Sequence, residues 1–169
     1  MKKISFVLYA IVAVLFFYSC KSQKNAAAAN AQTSNDSLII SIQKFPCFGV
    51  CPYYEAKIYA GGYVWFEGKK HTDKIGVYET KISNNDINEI IEQAKSAGYF
   101  ALPDSFYNDG IADYPVTITS VTQNGKRKRV YDGAPEATPQ LQKFETYLNN
   151  FFLNSKLNWR LIRKPGGDE

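Results

Sequence analysis

The chain has 169 residues, room for one folded domain of about 100 to 200 residues plus a targeting segment, so a multidomain machine is excluded. Apolar residues make up 45% and charged residues 21%, with 11 Phe, 12 Tyr and 2 Trp, which excludes a chain that is disordered throughout. The formal charge of +4 falls to +2 once Lys2 and Lys3, at the head of a segment read below as removed, are set aside; so balanced a chain is not built mainly to hold a polyanion, and nucleic acid is not an expected partner.

Lys2 and Lys3 precede an apolar run from Ile4 to Tyr18, interrupted by Ser5 and ending at Ser19-Cys20-Lys21. The run has the length of a signal-peptide core and falls short of the roughly 20 residues of a membrane span. Residues 1–19 are therefore expected to be a lipoprotein signal peptide, the alternative being an uncleaved anchor. Phe17-Tyr18-Ser19-Cys20 resembles a lipobox, with a small residue just before the cysteine and bulkier residues ahead of it, as in lipoproteins of the Bacteroidetes type. That resemblance implies that Cys20 takes a diacylglycerol, that the chain is cut before it, and that the new amino group is acylated. More than one acyl chain makes such anchoring stable, because each buried methylene adds about 0.8 kcal/mol.

Residues 20–36 carry no apolar side chain larger than Ala after Cys20 and cannot join a core. They read as a flexible tether with a typical span of about 20 to 24 Å, or as a frayed helix over Ala26–Ala31 that shortens the reach. No acidic cluster follows Cys20, and surface-exported lipoproteins of the Bacteroidetes type tend to carry one, so the expected address is the periplasm-facing side of the outer membrane.

Residues 37–162 are expected to be one α+β domain, an antiparallel sheet built from hairpins with two helices packed on one face, followed by a disordered tail over 163–169. Leu38–Ile42 is a β-branched run and the first strand, ended by Pro46. Tyr53–Ala60 and Tyr63–Gly68 flank Gly61-Gly62. A two-residue loop there would mix apolar and polar faces. A three-residue loop, Ala60-Gly61-Gly62, pairs Ile58 with Val64, Ala56 with Phe66 and Tyr59 with Tyr63. This register sends Tyr54, Ala56, Ile58, Val64 and Phe66 to the core, and Lys57, Tyr59, Tyr63 and Trp65 to the other face.

Ile75–Ile82 is a further strand. Ser83, with Asp86 three residues on, caps a helix carrying Ile87, Ile90, Ile91, Ala94 and Ala97 at helical spacing until Gly98 stops it. Pro115–Gln123 and Lys126–Asp132 form a hairpin turned by Asn124-Gly125. Thr138-Pro139 opens a second helix with Leu141, Phe144, Leu148 and Phe151 as its apolar stripe. Trp159–Ile162 reads as a last edge strand.

With Cys20 assigned to lipid, Cys47 and Cys51 remain as an even pair, expected to form a disulfide in an oxidising compartment. Gly49 between them suits a tight turn. Cys-Phe-Gly-Val-Cys-Pro-Tyr-Tyr, residues 47 to 54, with the strand and hairpin that follow, resembles a family of short Bacteroidetes-type lipoproteins carrying a domain of unknown function. The resemblance runs from about Leu38 to Phe152, through Gly76-Val-Tyr78, the Ser83 helix and Asp113-Tyr-Pro115. It implies the fold extent and an envelope address, and supplies no activity.

The same cysteine string is similar to the copper signature of Sco-type assembly factors. Soft thiolates favour Cu(I), and His71 could complete a site with Cys47 and Cys51. In those factors, however, a helix follows the motif, whereas here a strand does. Thiol-disulfide exchange is a further alternative, with a spacing one residue longer than the usual Cys-x-x-Cys. Asn108-Asp109-Gly110-Ile-Ala-Asp113 lacks the ligand alternation of an EF-hand and reads as a turn. Lys126–Arg129 could meet anionic headgroups or a phosphorylated glycan, or protect a sheet edge. One histidine leaves hydrolase chemistry almost no residues to use.

Tyr53, Tyr59, Tyr63 and Trp65 are the candidate binding face, because the core does not need them there and Tyr and Trp are common interface anchors. The alternative is that the segment around Trp159 packs over them. The expected protein is a lipid-anchored, non-enzymatic envelope module without a cofactor, held to the membrane by its lipid and binding an envelope protein or a glycan. The alternative is a periplasmic thiol or copper-binding protein.

Overall fold

Alternation of apolar and polar residues sets the strands, and two amphipathic helices close over one side of them. The computed structural model describes residues 37–110, 114–153 and 156–165. The expected signal segment, Cys20, the expected tether, Asp113 and residues 166–169 of the expected tail lie outside the described residues. Four consecutive strands come first: β1 (Leu38–Lys44), β2 (Tyr53–Tyr59), β3 (Tyr63–Lys70) and β4 (Gly76–Lys81). Helix α1 (Asn84–Ser96) and a 3-10 turn (Tyr99–Ala101) cross to β5 (Ser105–Tyr107), and the hairpin β6 (Thr117–Gln123) and β7 (Lys126–Gly133) follows. Helix α2 (Pro139–Leu153) then crosses back to β8 (Arg160–Arg163). The eight strands form one sheet in the order β5-β7-β6-β1-β2-β3-β4-β8, antiparallel except where β5 runs parallel to β7. This is the expected α+β arrangement, with both helices packed into the core on the same face.

The β2–β3 hairpin has the register that face separation demands. Ile58 pairs with Val64, Ala56 with Phe66 and Lys57 with Trp65. Tyr54, Ala56, Ile58, Val64 and Phe66 are all fully buried. Gly62 closes the loop at φ 79°, where a Cβ would run into the Ile82 carbonyl, and its own carbonyl accepts from the Ile82 amide at 2.9 Å. In the β6–β7 turn, Asn124 and Gly125 both have positive φ, 51° and 73°, as a type I′ turn requires.

Ser83 forms the capping box with Asp86, the Asp86 amide donating to Ser83 Oγ at 3.2 Å and the Ser83 amide to Asp86 Oδ2 at 2.8 Å. Thr138 caps α2 by accepting from the Leu141 amide at 3.2 Å. The buried stripe of α2 is Leu141, Phe144, Leu148 and Phe152, with Phe151 only half-buried. The expected stripe, ending at Phe151, is corrected by one residue: a four-residue step, as from Phe144 to Leu148, carries the seam on to Phe152.

One further element departs from expectation, and the alternative of a second face covered by the Trp159 segment is not met. The extended segment β5 follows from no periodicity of its own; three residues gain strand geometry by pairing with β7. Trp159 does not cover the face bearing Trp65. Its ring lies 5.4 Å from that of Phe66, on the helix side, and β8 continues the sheet beside β4 rather than packing across it. Among the described residues no helix is long and apolar enough to cross a membrane.

Candidate functional site

With both helices on one side, the opposite face of the sheet carries alternate residues of every central strand. Cross-strand registers line up one row as Glu79, Trp65, Lys57, Ser41, Ser120 and Arg129. The row divides into two chemically different halves.

On β2, β3 and β4 the aromatics alternate with charges that neutralise one another. Lys57 Nζ lies 4.7 Å from the centre of the Trp65 ring and 2.8 Å from Glu55. Lys69 stands 5.1 Å from the Tyr53 ring and 3.3 Å from Glu67. Tyr63 donates to Glu79 at 3.0 Å, and its ring lies 5.8 Å from that of Tyr59. Glu79 also pairs with Arg160. Tyr63 is exposed, while Tyr53, Tyr59 and Trp65 are half-buried by their neighbours on the sheet. Each exposed pair of this kind contributes about 0.2 to 1 kcal/mol, so the network orients the rings more than it stabilises the fold.

On β1, β6 and β7 the same face is hydroxylic and basic. Ser41 and Ser120 hydroxyls lie 2.7 Å apart, and Arg127 donates to Ser120 at 3.0 Å. The run Lys126–Arg129 is split by the strand's alternation: Lys128 turns to the other side and donates to the Leu102 carbonyl at 2.6 Å and to Asp104 at 2.5 Å. It is therefore not one continuous basic patch.

Cys47 and Cys51 are joined in a disulfide with their Cα atoms 5.7 Å apart, closing the turn between β1 and β2. In this form neither sulfur is a thiolate, the state that copper binding or thiol attack requires. His71 sits in the exposed β3–β4 turn with φ 55°. Among the described residues no three His, Cys, Asp or Glu side chains converge as metal ligands would. Asn108 accepts from the Gly110 amide at 2.9 Å, a local turn bond.

The residues that sequence reasoning passed over are Glu145 and Asp132. Both are buried, 6% and 4% exposed, and hydrogen-bonded to each other. Burial and then the Asp132 charge push the Glu145 carboxyl up to about 9, so it is the protonated partner and donates to Asp132. Burial also raises Asp132. Glu145 Oε1 has no partner among the described residues. The signal was present: Leu141, Glu145, Leu148 and Phe152 share the i, i+4, i+7, i+11 seam of α2.

Residues 38–152 match a family described as a domain of unknown function, DUF6438, and the chain belongs to that family. No curated protein and no solved structure matches the chain.

Proposed function

We propose that this DUF6438 protein is a lipid-anchored, non-enzymatic envelope module that binds a protein or glycan partner through the open face of its sheet. The observation that carries the reading is the set Tyr53, Tyr59, Tyr63 and Trp65 on a face that no described element covers, held by neighbouring charges and not needed by the core. Planar aromatics with few rotatable bonds lose little entropy on contact, and the paired Lys and Glu side chains beside them supply hydrogen bonds at the rim. The lipobox-like Phe17-Tyr18-Ser19-Cys20 and the Cys-Phe-Gly-Val-Cys-Pro string support an envelope lipoprotein of the Bacteroidetes type, facing the periplasm from the outer membrane.

A photo-crosslinking residue at position 65, used in intact cells, tests the binding face. A discrete adduct is expected there and none from the same group at exposed Glu92 on α1. Equal labelling from both positions, or none from position 65, removes the binding reading. Cys20→Ala in the same cells tests the address, and is expected to abolish acylation and leave a soluble or unprocessed product.

A further inference from the structure

The two most exposed large apolar side chains among the described residues, Phe48 at 88% and Val50 at 83%, stand on the loop closed by the Cys47–Cys51 disulfide. Neither belongs to the core cluster. Folding therefore gives no reason for a Phe and a Val there, and two apolar side chains on one closed loop are surface that a contact would remove from water. The covalent closure holds the tip in shape, which lowers the entropy lost when it docks.

The surroundings of the tip indicate what it meets. Strand registers bring the ends of β1, β3 and β8 to the same end of the sheet as the loop, with Tyr53 opposite Lys70 and Val77 opposite Arg163. Lys69 and Lys70 close β3, Lys74 precedes β4 and Lys164 follows β8. The acidic side chains on this flank are Glu55 and Glu67, which pair with Lys57 and Lys69, and Asp73 in the β3–β4 turn. Asp109 and Glu136 lie at the same end beyond β7, so the end is polarised, basic across β2 to β8 and acidic toward β5.

We propose that this end of the domain docks on an anionic lipid surface. Phe48 and Val50 enter the boundary between headgroups and acyl chains, Lys70, Lys74 and Lys164 at the β3, β4 and β8 ends meet lipid phosphates, and the acidic β5 side tilts away. An apolar tip beside a cationic flank has the two complementary features of such a surface, whereas a neutral bilayer would use only the first. The chain length between Cys20 and β1 permits this pose. The seventeen residues from Cys20 to Asp36 reach about 56 Å when extended, more than the roughly 23 Å of seven-residue β1, whose start lies at the opposite end of the sheet. The inference does not depend on the aromatic face, and it uses the anchor only for proximity.

The test uses the full-length protein reconstituted in vesicles with brominated acyl chains, as Phe48→Trp and unsubstituted. In phosphatidylglycerol-rich vesicles, the emission that the Phe48→Trp substitution adds is expected to fall about twofold, with little quenching in phosphatidylcholine alone or after Lys70→Gln with Lys164→Gln. Flotation of the vesicles reads attachment separately, so failure of the Cys20 anchor is distinguishable from failure of the loop to touch lipid. Normal flotation with the added emission unquenched overturns the proposal. Equal quenching of the unsubstituted protein, whose tryptophans are Trp65 and Trp159, also overturns it by assigning the contact elsewhere.

Discussion

Along β3 the two faces of the sheet are made by alternate residues of one strand. Val64 and Phe66 are fully buried beneath the helices, while Tyr63 and Trp65 point the other way into a layer of paired charges. The aromatic side chains are comparable in size and differ in what holds them. Phe66 stacks on Tyr54 at 5.2 Å and meets Trp159 at 5.4 Å, so its removal leaves a hole that neighbours cannot fill. Trp65 has one lysine over its ring and no described layer above it, so its removal mostly returns surface to water. Aromatic content alone does not distinguish core from interface; what packs on the second side of the ring does.

The largest expected effect is on the covered face. Phe66→Ala should cost about 3 to 5 kcal/mol by denaturant titration, through lost transfer energy and a residual cavity. A cost below about 1 kcal/mol would mean that the helix-covered face is not the core.

The buried acid pair sharpens the same contrast with pH. Glu145 titrates near 4.5 in an unfolded chain and about 9 in the fold, so between those values the native state holds a proton that the unfolded state has lost. Stability is therefore greatest below the lower value and falls as pH rises toward the upper one, by a few kcal/mol, on the order of the shift; Asp132, also raised, acts in the same direction. Glu145→Gln keeps a neutral donor to Asp132 and is expected to flatten this dependence. Denaturation midpoints across that pH range check it, and an unchanged slope in the variant would place the proton uptake on other groups.

Opening the disulfide with Cys47→Ser and Cys51→Ser should cost about 2 kcal/mol, because the closed loop is short and lies outside the core. A loss as large as that of Phe66→Ala would show that the loop supports the sheet. Trp65→Ala is the smallest change, below about 1 kcal/mol, reflecting one half-buried cation–π contact with no described layer above it. Paired denaturation curves for the Trp65 and Phe66 variants test the contrast directly, since equal costs would erase the distinction between the faces.

Much of the fold was legible because its signals are local. Gly62 and Asn124-Gly125 define turns whose geometry permits few registers, and a one-residue slip at the first would exchange Phe66 with Trp65. Ser83 with Asp86, and Thr138 before Pro139, mark helix starts through bonds to amides within the next turn. The aromatic set on the second face follows from that register by alternation alone. Other features depend on which segments meet far along the chain. Ser105–Tyr107 becomes a strand because the α1 crossover delivers it beside β7, and no property of three residues could announce that. Trp159 faces Phe66 because β8 extends the sheet past β4, which determines the side its preceding residue occupies. Glu145 sat visibly on an apolar seam, yet its shared proton required Asp132, thirteen residues earlier on β7, to be brought beneath α2. Turn chemistry and periodicity act within a few residues, so they are written in the sequence directly; strand order and the pairing of buried charges are settled when distant segments compete to cover the same face, and only the folded chain resolves that competition.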